Sequence, residues 1–158
     1  MEYFTLARVI HVLAVVLWIG GVAMVTTVII PSIKKLSDPK KRYETFEAIE
    51  HTFALQAKIT TTITGISGFY MLYVLDAWDR YTQIQFWWIH AMTFVWFLFT
   101  MVLFVLEPFI LHKLFEKYSI SHPQKTFVIL QQFHWVLLTL SLITIAGAVA
   151  GSHGWHWI

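Results

Sequence analysis

Four histidines fall one to each expected helix of the chain: His11, His51, His90 and His134. An imidazole inside hydrocarbon is costly unless it is ligated or hydrogen-bonded, and its neutral ring is a good ligand for iron or copper. At 1.5 Å of rise per residue, His11 lies roughly 10 Å inside the boundary set by Phe4, and His90 roughly 6 Å inside the one set by Phe86. These depths match. Two imidazoles at one level on opposite sides of a helix bundle are placed for bis-histidine haem ligation, with the apolar core as the slot for the macrocycle.

His51 and His134 belong to the other side of the membrane. Measured from Phe53 and Phe127, their levels differ by roughly 13 Å, which closes only if the second helix begins earlier or the fourth is displaced. Two readings stand here. One is a second haem on His51 and His134. The other is a polar pocket of Lys58, Gln56, Glu107, Gln131 and His134 that serves a quinone headgroup or a proton path. Lys58 either joins that site or snorkels to the interface. Trp18, a heptad from His11 on the same helix face, packs in the core and borders the macrocycle. His153 and His156 in the tail SHGWHWI are a copper-ligand pair or solvated ends, while His112 and His122 lie in or beside an inner loop.

Helices must carry these groups. Four apolar runs, Phe4–Ile30, Phe53–Leu75, Phe86–Leu111 and Phe127–Ala150, each exceed the roughly 20 residues that a spanning helix needs. With 58% hydrophobic and only 13% charged residues, and a mean hydropathy of +0.65, the chain has too few charges to cover a soluble core of its size. The expectation is an all-α integral membrane protein, one domain over residues 1–158. The first connection carries Lys34, Lys35, Lys40, Lys41 and Arg42, and the third carries Lys113, Lys117 and Lys125. The second carries only Arg80, against Asp76 and Asp79. The positive-inside rule then places the first and third connections in the cytoplasm and both termini outside.

Short connections favour an up-down-up-down four-helix bundle. Gly20, Gly21, Gly65, Gly68, Gly147 and Gly151 allow close helix approach. Trp78, Trp87, Trp88, Trp155 and Trp157 are expected at the outer headgroup level. The polar stretch Asp38–His51, with Tyr43, Phe46 and Ile49 spaced along it, reads as an inner extension of the second helix or as a short surface helix. The first apolar run is too long for a cleavable signal and is expected to act as its own insertion signal. Zero cysteines exclude disulfides, thiolate metal sites and covalent c-type haem.

The segment HVLAVVLWIGG, followed by an apolar run to Pro31 and a basic loop, resembles the first helix of the CopD-like family, which includes copper-resistance membrane proteins and HemJ-type protoporphyrinogen oxidases. The stretch FALQAKITTTITGISGFYML resembles the threonine-glycine pattern of that family's second helix. The HemJ branch implies a haem-ligating histidine at His11 and an arginine just after the proline. Here Pro31 is followed by Ser32, Ile33 and Lys34. The one-per-helix histidines also resemble, in architecture, the bacterial cytochrome b561 group of four-helix electron carriers.

The leading expectation is a b-type membrane cytochrome of a prokaryotic inner membrane, with one or two haems, exchanging electrons with quinone or an outer partner. Copper handling is the alternative, weakened by the absence of cysteine and by only five methionines, because Cu(I) prefers soft sulfur ligands. A haem-dependent oxidoreductase acting on a porphyrin and a structural subunit with packed histidines complete the classes. Lipid is the implied partner and nucleic acid is not. The redox partner protein and homo-oligomer formation are left open.

Overall fold

The computed structural model describes residues 2–155. Its secondary structure is helical throughout, with no strand among the described residues. Four long helices make the molecule: α1 (Glu2–Ile33), α2 (Pro39–Val74), α3 (Ile84–Ser121) and α4 (Pro123–Ser152). Of these, α1, α3 and α4 are long and apolar enough to cross a membrane. α2 has the length, at 36 residues, but Lys58 and the hydroxyls of Thr60, Thr61, Thr62, Thr64 and Ser67 dilute its hydropathy. Of the four apolar runs expected to span, three are helices apolar enough to cross a membrane and the fourth carries a polar stripe.

The helices also run further than the apolar runs suggest. α2 starts at Pro39, where Asp38 accepts a hydrogen bond from the Lys40 amide at 2.9 Å and proline occupies the first turn. The stretch 39–52 is thus the extension of the second helix, not a separate surface helix. α3 continues through His112 to Ser121, and Pro123 opens α4 at once. The expected inner connection over 112–126 is mostly helix. These two extensions meet through aromatic rings. Phe115 lies 5.0 Å from Phe46 and 5.5 Å from Phe127, ring centre to ring centre, with Phe46 and Phe127 5.9 Å apart. Phe127 and Ile30 are fully buried there.

α1 packs chiefly on α2, and the outer half of α3 on α4. α1 and α2 run in opposite directions. His11 meets Thr64 and Ser67, the Leu17 carbonyl meets Gln56, and Gly21 lies against the Phe53 ring. Glycine sets the closeness of these contacts. Gly65 seats the Trp96 indole, Gly147 seats Trp87 and Gly151 seats Trp88. Trp87 and Trp88 are consequently engaged in packing between α3 and α4 rather than standing free at the outer rim, and Trp88 is buried. Trp78 and Trp155 are exposed; Trp157 lies outside the described residues.

Two segments widen beyond the α-helical register. Val25–Ile29 in α1 and Val102–Leu111 in α3 are π-helical. Each is accompanied by a proline, Pro31 just after the first and Pro108 inside the second. Proline has no amide hydrogen to give to the ladder, and the wider register is one way to route the remaining bonds around it. The Ile30 amide donates to the Val25 carbonyl, and the His112 amide to the Glu107 carbonyl. The Thr26 and Thr27 hydroxyls donate back to the Val22 and Ala23 carbonyls at 2.6 and 2.7 Å.

Candidate functional site

Both π-helical segments open onto one space. A cavity of about 640 Å³ lies toward the end of the molecule where α1 turns into α2 and α3 into α4. It is bounded by Val25 and Ile29 of α1, Phe46 and Phe53 of α2, Val102, Leu103, Glu107 and Leu111 of α3, and Phe133, His134 and Leu137 of α4. Widened helical turns are enriched at functional sites, and the volume falls within the range of about 300–1,000 Å³ typical of small-molecule and cofactor pockets. The lining is dominated by aliphatic and aromatic side chains. The polar groups on it are few: Glu47 and Glu50 from α2, Glu107, His112 and Tyr118 from α3, and His122, Lys125, Thr126 and His134 about α4.

His134 is the histidine presented to this cavity by α4. Its Nδ1 is 2.9 Å from the Leu130 carbonyl one turn back. A carbonyl can only accept, so Nδ1 carries the hydrogen and, in the neutral ring, Nε2 keeps its lone pair. Fixing one ring nitrogen on a carbonyl is the usual way a ligating histidine is oriented. His112 brings a second imidazole to the cavity from α3, its Nε2 3.9 Å from the Glu47 carboxylate.

Lys58 reaches Glu107 at 3.2 Å, tying α2 to the π-helical turn of α3, with both side chains mostly buried. Glu50, just beyond the inner end of the apolar run of α2, has its carboxyl pushed above the usual carboxylate range by burial and by the Glu107 charge. His112, Lys58 and His51 oppose that shift.

The remaining sequence-derived candidates are distributed as follows. His11 is half-buried on α1, and its Nδ1 is 3.0 Å from both the Thr64 carbonyl and the Ser67 hydroxyl. It therefore has the same tautomer as His134. His90 is exposed, with its Nε2 2.9 Å from the Tyr81 carbonyl and its ring edge-on to Tyr81. His11 and His90 thus turn to different partners, one to α2 and the other to the outer connection. His51 is exposed and does not line the cavity that His134 lines. Trp18 is buried against Phe99, ring centres 4.8 Å apart and nearly perpendicular. Of the expected inner pocket, Glu107 and His134 line the cavity and Lys58 pairs with Glu107. Gln131 instead accepts from Lys34 at 2.8 Å, and Gln56 donates to the Leu17 carbonyl at 3.4 Å. His153 is exposed and bonded to the Val149 carbonyl; His156 lies outside the described residues.

Sequence reasoning placed His112 in a loop and passed over Glu47 and Glu50 as cavity groups. The signal available was the amphipathic spacing of Tyr43, Phe46 and Ile49, whose continuation puts Glu47 and Glu50 on the inward side. Among the described residues no group of three or more His, Asp or Glu side chains is placed to hold a metal ion. The site can take one or two imidazole nitrogens to a metal already held in an organic frame, or a large apolar molecule with a polar end. Comparison with family models, with curated proteins and with solved structures yields no match.

Proposed function

We propose that this chain is a b-type haem protein of a prokaryotic inner membrane that passes electrons, with haem in the inner cavity and His134 as its iron ligand. The observation that carries this reading is the joint one at His134: an imidazole oriented by the Leu130 carbonyl, with Nε2 left to coordinate, on the wall of an apolar cavity of about 640 Å³. Bound haem supplies one-electron iron chemistry at a potential set by its ligands and surroundings.

The chain's own residues supply the rest. Phe46, Phe53, Phe99 and Phe133 give the macrocycle apolar walls, and His112 brings a second nitrogen donor. Lys125 would supply a cation, and His122 a hydrogen-bonding ring, to haem carboxylates. The proposal includes the topology: four spans, up-down-up-down, both termini outside, with α2 as the fourth span because Thr60, Thr61, Thr64 and Ser67 of its polar stripe are buried. The inner cavity is preferred over the outer pair because His90 is exposed and engaged by Tyr81.

A second reading is a quinone in the same cavity, favoured by the Lys58–Glu107 pair beside a long apolar wall. The deciding experiment is the reduced-minus-oxidised absorption spectrum of protein purified from haem-supplied cells. One b-type haem per chain is expected. A colourless protein overturns the haem reading, and extracted quinone in its place establishes the second.

A further inference from the structure

Two buried polar atoms have no hydrogen-bond partner among the described residues: Trp18 Nε1 and Thr61 Oγ1. Trp18 is 3% exposed and Thr61 fully buried. An orphaned buried donor or acceptor costs the full desolvation of the group, so such atoms mark a missing partner. Thr61 also departs from its neighbours. Thr60, Thr62, Thr64 and Ser67 each donate a hydroxyl hydrogen to a carbonyl one turn back on α2. Thr61 makes no such bond.

The register of α1 on α2 sets the two orphans about one helical turn apart. The contacts of Leu17 with Gln56 and of His11 with Thr64 bracket them and fix the antiparallel register of α1 on α2. In that register Trp18 stands across from the turn of Ala57, one helical turn from Thr61. Side chains lean toward the N-terminus of their own helix. The indole of Trp18 therefore leans toward the level of Thr61, and the Thr61 hydroxyl leans toward the level of Trp18. Their chemistry is complementary through an intermediary. Indole N–H only donates, whereas a hydroxyl donates and accepts. Trp18 also adjoins the cavity, since Val22, Phe99, Leu103 and Leu137 belong both to the cluster around it and to the cavity wall.

We propose that Trp18 Nε1 and Thr61 Oγ1 form a bound-water site behind the Phe99 wall of the cavity, in exchange with solvent through that cavity. The water accepts from the indole and bonds to the hydroxyl, satisfying both groups, as buried waters do. It places an exchangeable proton deep in the bundle, between the Lys58–Glu107 pair and the Ser67–His11 pair on α2. The water site itself does not depend on haem. Its exchange route, however, is the cavity that haem would fill, so exchange is read on full-length chain purified without added haem and shown to be haem-free.

The test reads the Trp18 indole proton in the ¹⁵N-tryptophan spectrum of the purified full-length chain, assigned with Trp18→Phe. The expected result is exchange within minutes of transfer to D₂O. Thr61→Val should move the resonance upfield and slow exchange by about tenfold or more, reflecting loss of solvent access. Thr61→Ser, which keeps the hydroxyl, should match the native protein and controls for folding. An indole proton protected for hours in the native chain, or one indifferent to Thr61→Val, overturns the proposal.

Discussion

Lys58 and Glu107 meet at 3.2 Å, one from the polar stripe of α2 and the other from the π-helical turn of α3. The pair joins the most polar helix to the most distorted one at the edge of the cavity. Removing one partner leaves a charge in a poorly solvated place. Lys58→Met is expected to cost about 1–2 kcal/mol, between the values for exposed and fully buried pairs. The double variant Lys58→Met with Glu107→Leu should recover most of that loss. Unfolding midpoints of the four members of this cycle, in one detergent, measure the coupling. Strict additivity would show that the two side chains do not sense each other.

The glycines that seat tryptophan rings separate from Gly20, which seats nothing. A Cβ at Gly65 would come within 2.5 Å of the Trp96 indole nitrogen, which donates to the Thr61 carbonyl at 3.0 Å. Gly65→Ala is expected to destabilise by about 1–3 kcal/mol through overpacking. A Cβ at Gly20 meets nothing within 4 Å. Gly20→Ala should be neutral, or stabilising by up to about 1 kcal/mol from helix propensity. Thermal midpoints of the two variants check the contrast.

Glu50 links stability to pH. Its carboxyl is raised above its ordinary 4.5 by burial first and by Glu107 second, with His112, Lys58 and His51 pulling the other way. The folded protein therefore holds this proton more tightly than the unfolded chain does. Its contribution is fully favourable below 4.5 and is lost as pH rises through the raised folded value. Glu50→Gln should raise the unfolding midpoint at pH 7 and leave it unchanged at pH 4. A gain of the same size at both pH values would contradict the assignment.

Much of the helical framework could be read from the sequence, and the misses have physical causes. Apolar run length located the cores of all four helices, because burial in hydrocarbon or protein is what those runs encode. It could not see the inner extensions, where Phe46, Phe115 and Phe127 pack beneath polar neighbours. It could not see the π-helical turns either, since a change in backbone register leaves hydropathy untouched; Pro31 and Pro108 were their only trace. Depth arithmetic ranked His11 with His90 because it counts along the helix axis and ignores rotation about it. The exposed ring of His90, held by Tyr81, is a matter of rotation. His134 was named for the inner site, yet the partner expected for it, His51, stands off the cavity while His112 lines it.

The central claim is that His134, on the inner cavity, holds the haem. The direct measurement is haem content and the reduced-minus-oxidised spectrum of His134→Ala beside His90→Ala, both purified from haem-supplied cells. The account predicts that His134→Ala loses the b-type absorption and that His90→Ala keeps it. Haem retained in His134→Ala and lost in His90→Ala would contradict it and return the cofactor to the outer end of the bundle.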